Sequence, residues 1–581
     1  MFCAFQVLSL QIPLFFYENG ASVSAIALCV EKMLPPTMYP LITFISLSVF
    51  YLHKPNNELT RWEKLFCCAF SLFLIIGDSY NAIDSWDLVF GSVLLFLMSV
   101  ATLVGFTIIT QCGLCWLKDL GSKLLKKEVT MPALWEKHPF LFAWAVIFLC
   151  WVPYIIIRLP AAVDYDSYKQ LEEIFGYRTF SNYNPVFSTV LIGTIFKFGA
   201  AVFGFKEAGL TVFVIFQALV CSAILAYTTL TMKRLNTPPI IRVIALGVYS
   251  LVTMYPNYLT VILKDSLYSC MSILLLALVI EEVTLPHSKK RCLGILAAGL
   301  LTGLLRNNGF LILWALLLAS AVYCLLHRKH RRTYMAAMLL IACLLQSMFV
   351  NVMLPALNIP AGPMGESLSI PFQQTARYVR DYPEDVTPEE AEAIAAVLDY
   401  EHLAELYNPD VSDPVKFSNT GNHAALPEYF KAWFKMFLRH PDAYIEATLN
   451  NAYGFFHPNA REYIFQYSAL PFKEGKIPFQ EIDALYPAKI ATRYLVMLFE
   501  TFPLTLPLCN CGWNMWLALY LMCTALARKD RKLMIPFASI GISMLVCIAC
   551  PVFFVNGIRY ALPVIFANPL MVAVTLRKSE T

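Results

Sequence analysis

The sequence predicts an all-α polytopic membrane protein of about 13–14 transmembrane helices, and three observations carry that class. Hydrophobic residues make up 58% of the 581, charged residues only 14%, and the mean hydropathy is +0.60, a balance foreign to water-soluble domains. Apolar runs of bilayer length recur along the chain. Short clusters of Lys and Arg stand between them, as in the loops of a multi-spanning protein.

A spanning helix needs roughly 17–25 apolar residues. The stretches that qualify are 36–52, 63–79, 87–111, 139–158, 207–231, 240–256, 266–283, 292–306, 309–326, 333–355, 510–527, 533–551 and 558–576. Residues 1–33 are a further candidate, broken up by Glu18, Asn19, Gly20 and Glu31. The opening residues lack the basic start and small-residue cleavage site of a secretory signal. The lipid bilayer is therefore the first partner, with a multi-pass place in the cell membrane. The net charge of +4 is too small to point to nucleic acid. Of the 17 cysteines, none lies between Cys343 and Cys509, and the rest sit in or beside apolar runs as small hydrophobes. That pattern argues against both a disulfide scaffold and a metal cluster.

Orientation follows from the basic loops. Lys118–Lys127, Lys233/Arg234/Arg242, Lys289–Arg291, His327–Arg332, Arg528–Lys532 and Arg577/Lys578 all face the cytoplasm together if 185–204 and 488–507 do not cross. In 185–204, Ser188, Thr189, Gly193, Thr194, Lys197, Ala200, Ala201 and Gly204 recur at helical spacing opposite a Val/Ile/Phe face, the pattern of an interfacial helix. Segment 488–507 carries Arg493, Glu500, Pro503 and Pro507, which are costly in lipid. The polar segment 356–487 then lies outside. It holds 19 acidic against 9 basic residues, a net of −10, the sign expected away from the cytoplasm. Within it, Thr387, Pro388 and Glu390 predict a capped helix start, and 426–456 reads as an amphipathic helix, a Pro break and a second helix. No internal repeat of 20–50 residues is visible.

With this topology, unusual residues gather on one side. Asp164 and Asp166 follow the 139–158 stretch, and Lys264 and Asp265 occupy the turn before 266–283. Arg306, Asn307 and Asn308 form a hairpin turn, and Arg559 and Tyr560 open the last helix. Each has a bland reading: a helix N-cap for the loop acids, snorkelling for Lys264 with Asp265 as partner, a polar tip for Arg306, an interface anchor for Arg559. Their convergence favours a site, because charge at membrane depth is costly and usually faces a cavity. Carboxylates supply proton or metal chemistry, and cations suit an anionic leaving group.

The order of these motifs is familiar. Asp166-Ser167 with Gln170, Asn184-Pro185-Val186, Tyr255-Pro256, Lys264-Asp265, Arg306-Asn307-Asn308-Gly309 and Arg559-Tyr560-Ala561-Leu562-Pro563 resemble the motifs of the GT-C superfamily of membrane glycosyltransferases. The nearest likeness is to poorly characterised bacterial members related to protein O-mannosyltransferases and aminoarabinose transferases. It covers 139–576. It implies a GT-C-like catalytic module over 139–355 with an external loop at 159–206, an extracytoplasmic domain at 356–487, and an interfacial segment plus C-terminal helices at 488–581. Residues 1–138 read as an added block of transmembrane helices. Where related proteins carry a His before the Pro of the interfacial helix, this chain has Asn184, so no proton-transfer role carries over to that position.

The resemblance implies an inverting transfer of a sugar from a polyprenyl-phosphate donor to an extracytoplasmic acceptor: a cell-wall polymer, glycolipid or protein of the cell envelope. Asp166 is the expected base, and Asp164 or Asp265 the group that orients the acceptor or a metal. Lys264, Arg306 and Arg559 are expected at the donor phosphate. Gln170, Asn184, Asn307, Asn308 and Tyr560 are expected to orient substrate. The family leaves a divalent metal (Mg or Mn) open, with Asp164, Asp166 and Asp265 as its carboxylates. Two rivals share the helix count: a lipid-linked glycan flippase or other transporter, and an O-antigen-type polysaccharide polymerase or ligase. The first calls for repeat symmetry and short loops, the second for Arg and His in the outer loop.

Overall fold

The computed structural model describes residues 11–20, 47–327, 333–460, 477, 479–480, 482–549, 553–554 and 556–577. Helices dominate, and the only strand-like pairings among the described residues are two isolated bridges, Val163 with Ile262 and Asn182 with Ala361. In chain order the main helices are α1 (Arg61–Ile83), α2 (Val93–Lys126), α3 (Pro139–Ile157), α4 (Tyr165–Ile174), α5 (Val186–Phe203), α6 (Lys206–Arg234), α7 (Pro239–Leu251), α8 (Lys264–Thr284), α9 (Lys289–Leu305), α10 (Phe310–His327) and α11 (Thr333–Met348). They continue with α12 (Ser369–Asp381), α13 (Pro388–Ala395), α14 (Leu426–Arg439), α15 (Pro441–Phe456), α16 (Tyr486–Thr501), α17 (Cys511–Ala527), α18 (Met534–Ala549) and α19 (Ile558–Thr575).

Ten helical stretches among the described residues are long and apolar enough to cross a membrane. They are α1, α2, α3, α5, α6, α8, α19 and the stretches Asn307–Leu326, Thr333–Ala356 and Arg531–Ala549. This is a multi-pass membrane protein. Nine of the thirteen expected stretches are in this set. Two others form shorter apolar helices, α7 and α17. α7 ends early because the chain turns extended at Val252 and restarts in Met254–Leu259, which contains Pro256. α9 opens on Lys289, Lys290 and Arg291, so its 17 residues are less apolar than the spacing suggested. Residues 36–46 of the first expected span, and most of 1–33, lie outside the described residues.

The direction of the helices positions everything else. α3 packs along α6, and the two are antiparallel. At one end Lys233 pairs with Glu136 (Nζ to Oε2, 2.6 Å); at the other the Thr211 hydroxyl donates to the Pro160 carbonyl (2.7 Å). α8 and α19 lie side by side, and each starts at the Pro160 end. The opposite end collects the basic loops, with Arg234 on Glu281 (2.8 Å), Arg291 on Glu282 (2.9 Å) and Arg577 on Asp530 (2.7 Å).

α5 meets the length and hydropathy of a span, yet both of its ends are held at the Pro160 end of the bundle. Asn184, just before it, bonds to Asp166 and Lys264, and after it Gly204 and Phe205 lead straight into α6. That placement is what an interfacial helix requires. α5 presses on α6 at two glycines. A Cβ at Gly209 would come within 2.5 Å of the Phe196 carbonyl oxygen, and Gly199 faces Val212. α16 is absent from the spanning set, in line with its Arg493 and Glu500.

The polar segment after α11 builds its own core from Phe372, Ala376, Tyr378, Ile394, Leu403, Tyr429, Met436 and Tyr444. The expected cap is present: the Thr387 hydroxyl accepts from the Glu390 amide while the Glu390 carboxylate accepts from the Thr387 amide. The helix–Pro break–helix reading appears as α14, His440 and α15. Arg377 and Glu446 then tie this layer to the N-terminal block. They meet at 2.5 Å, and Glu446 accepts from the Ser85 hydroxyl (2.7 Å) and the Trp86 amide (3.0 Å).

Candidate active site

The segment after α3 is pinned before it turns into α4. Buried Arg158 donates to the Asn257 carbonyl (3.1 Å), and the Asp164 amide donates to the Ile262 carbonyl (3.0 Å) while the Ile262 amide donates to Ala162 (2.9 Å). This short parallel bridge sets Asp164 and Asp166 beside the first turn of α8. Asp164 is the N-cap of α4, its carboxylate accepting from the Asp166 amide at 3.0 Å, so its bland sequence reading is also its structural role.

Asp166 is the hub. Its Oδ2 accepts from Lys264 Nζ at 3.0 Å and from Arg559 Nη1 at 2.9 Å. Lys264 also donates to the Asn184 side-chain oxygen (2.6 Å), whose amide nitrogen reaches the Asp166 carbonyl (3.4 Å). Arg559 lies 3.6 Å from Asp164, which also accepts from the Asn556 side chain (3.3 Å). Thus α4, the turn before α5, α8 and α19 each send a polar group to one point.

Electrostatics separate the two acids. Burial pushes the Asp166 carboxyl up, but the ammonium of Lys264 and the guanidinium of Arg559 outweigh it and hold the group well below the usual carboxylate range. Asp164 moves the other way. Burial dominates there, and the neighbouring Asp166 charge opposes Arg559. The two acids are therefore shifted in opposite directions, Asp166 down by its cations and Asp164 up by burial, the arrangement that assigns different roles to two carboxylates. About two turns along α4 from Asp166, burial lifts the Glu173 carboxyl to about 7.

A second ion pair abuts the first. Asp265 is fully buried and meets Arg306 Nη1 at 2.6 Å. The Arg306 guanidinium lies 4.3 Å from the Tyr560 ring centre and 5.3 Å from that of Tyr268, and the Arg559 guanidinium lies 5.2 Å from Tyr560. Tyr560 is thus the shared face of two cations.

The remaining expected residues divide. Asn307 lies at the rim, donating to the Asn182 (3.0 Å) and Tyr183 (3.4 Å) carbonyls. Asn308 keeps a buried side-chain oxygen with no hydrogen-bond partner among the described residues in the same turn. Gln170 is instead a clamp. Fully buried, it donates to Ser188 (2.8 Å) and Thr189 (2.9 Å) and fastens α4 to α5. Two neighbours were missed from the sequence. Lys169, whose ammonium is 4.2 Å from the Tyr165 ring centre and 5.2 Å from that of Tyr183, adds another cation, and burial lowers its pKa. Its spacing of three from Asp166 on a helix was the available signal. Asn556 carried no such signal.

Asp164, Asp166 and Asp265 do not assemble as a ligand set for a divalent ion. Each faces a cation, and the one acid, His or Cys trio among the described residues with donor atoms within 4.8 Å of one another is Glu282, His287 and Cys292 at the opposite end. In that trio Glu282 is already paired with Arg291 and His287.

No curated protein and no solved structure matches the chain. A family match does, over residues 176–581. It takes in Asn184, Lys264, Asp265, Arg306 to Asn308, Arg559 and Tyr560, and begins after Asp164, Asp166 and Gln170. The chain belongs to the family described as DUF6020, a family of unknown function.

Proposed function

We propose that this protein is a membrane glycosyltransferase that moves a sugar from a polyprenyl-phosphate carrier to an acceptor hydroxyl on the extracytoplasmic side. The observation that carries the reading is Asp166 clasped by Lys264 and Arg559, beside the Arg306–Asp265 pair, at one end of an apolar helix bundle. Such a cluster is a phosphate site that its own carboxylate fills. A donor phosphate attracts Lys264 and Arg559, and as they turn to it Asp166 loses the charges that depress its pKa. The freed carboxylate is then a competent base. It takes the acceptor proton as the acceptor oxygen bonds to the anomeric carbon, and the carbon–oxygen bond to phosphate breaks with its electron pair on the polyprenyl phosphate. Lys264, Arg559 and Arg306 stabilise that leaving charge. No metal takes part in this scheme. The outer segment with its separate core supplies the acceptor side.

Purified protein in detergent, supplied with polyprenyl-phosphate sugars, should release polyprenyl phosphate. Asp166→Asn should slow turnover by roughly 10²–10⁴-fold, the usual worth of a general base. Mass spectrometry of envelope glycans from a deletion strain should show one sugar missing. An unchanged glycan profile, with no donor consumed by the purified protein, would sink the reading.

A further inference from the structure

At the end of the bundle away from Asp166, a cavity of about 420 Å³ opens among the ends of α6, α8, α17 and α19. Its wall carries four cations, Arg234, Arg528, Lys532 and Arg577, against a single carboxylate, Asp530. Helix C-termini attract cations by themselves, and Arg528 does donate to the Thr575 carbonyl. Local pairing accounts for two of the others, Arg234 on Glu281 and Arg577 on Asp530. An excess remains. Arg528 faces no carboxylate among the described residues, and Lys532 has no ion pair there. Arg577 keeps its second terminal nitrogen, Nη1, buried and without a hydrogen-bond partner among the described residues. A buried guanidinium donor left unmatched is costly unless an acceptor fills the place.

We infer that this cavity binds a phosphate group through Arg528, Lys532 and the free arm of Arg577. Two guanidinium forks and an ammonium suit a tetrahedral, multiply charged oxyanion better than a lone carboxylate. Basic recesses between membrane helices take this ligand from anionic lipid headgroups, and a soluble phosphate compound offers the same chemistry. α8 and α19, whose first turns carry Lys264 and Arg559, each run from the Asp166 cluster to this cavity, so an anion bound here draws together the far ends of two helices that carry the site.

The test uses the full-length chain, wild type and Arg528→Gln/Lys532→Gln, and reads Tm. One arm titrates inorganic phosphate in neutral detergent. The other compares nanodiscs of phosphatidylcholine with and without phosphatidylglycerol. A saturable rise in Tm with phosphate that the double variant shows only at about tenfold higher concentration identifies a soluble source. A rise confined to phosphatidylglycerol discs and lost in the variant identifies a lipid headgroup. No rise in either arm, or a variant that responds like wild type, overturns the inference. If the double variant does not fold, Lys532→Gln alone replaces it: the exposed side chain should still weaken the response several-fold, and an unchanged titration overturns the inference.

Discussion

Asp166 and Lys264 lie 98 positions apart in sequence and meet at 3.0 Å, with both side chains mostly withdrawn from solvent. Neither helix makes this contact alone. The Val163–Ile262 bridge brings the start of α4 alongside the start of α8, and Arg559 closes the cluster from α19. Removing one member strands its partners in a poorly solvated place.

A double-mutant cycle should expose that coupling. Asp166→Asn and Lys264→Met should each destabilise the protein by about 1–3 kcal/mol. The pair together should cost less than the sum by at least about 1 kcal/mol. Tm values in one detergent measure it, and strict additivity would mean that the contact does not hold in solution.

The two arginines should fail in different ways. Arg306 is the counter-ion of fully buried Asp265, so Arg306→Ala should lower Tm, at a cost of about 3–5 kcal/mol. Arg559 has Asp166 and Asp164 as partners, and those acids keep other donors. Arg559→Ala should therefore fold and raise the donor KM by about ten- to a hundredfold. Equal Tm losses with unchanged donor KM would return both to structural roles.

Glu173 should set a pH dependence. Its carboxyl titrates near 7 when folded against 4.5 in the free residue, so the folded state holds the proton more tightly. Stability from this group is full below about pH 4.5, falls as pH rises toward 7 and stays lowered above it. Glu173→Gln should then gain roughly 1–3 kcal/mol near pH 8 and almost nothing near pH 4.5. A pH-independent difference in Tm would refute the burial argument.

Close packing of α5 on α6 depends on Gly209. Gly209→Ala should cost roughly 1–3 kcal/mol, because the new methyl meets backbone rather than a flexible side chain. Limited proteolysis should cut earlier between α5 and α6, and a wild-type Tm would show that the helices have room to part.

Sidedness is open to direct labelling. In a chain cleared of native cysteines, Thr179→Cys and Asn422→Cys should react with an impermeant maleimide on intact cells, while Lys290→Cys should not. All three positions are exposed, so burial does not confound the outcome. Labelling of the Lys290 position alone would invert the topology.

Local chemistry made much of this protein legible from its residues. Apolar runs of bilayer length set nine helices, because a backbone in lipid finds no water and must satisfy its polar groups within the segment. The Thr387–Glu390 cap and the Pro441 break followed from backbone donors that only nearby groups satisfy. Paired acids beyond α3 and lone cations at helix ends marked candidates, since such charges are costly at that depth. Tertiary structure decided which candidates meet. Asp166 became the hub and Asp164 the cap of α4, although they are two positions apart, because only Asp166 reaches both Lys264 and Arg559. Gln170 turned into α5 as a clamp, since its direction depends on which helix packs there. The basic cavity arises in the same way: its cations come from three separate parts of the chain, and their shared space exists only once α6, α8, α17 and α19 end side by side. Spacing along a chain sets what a segment can form by itself. Long-range contacts, which sum many weak packing terms over the whole bundle, determine which side chains share a point in space.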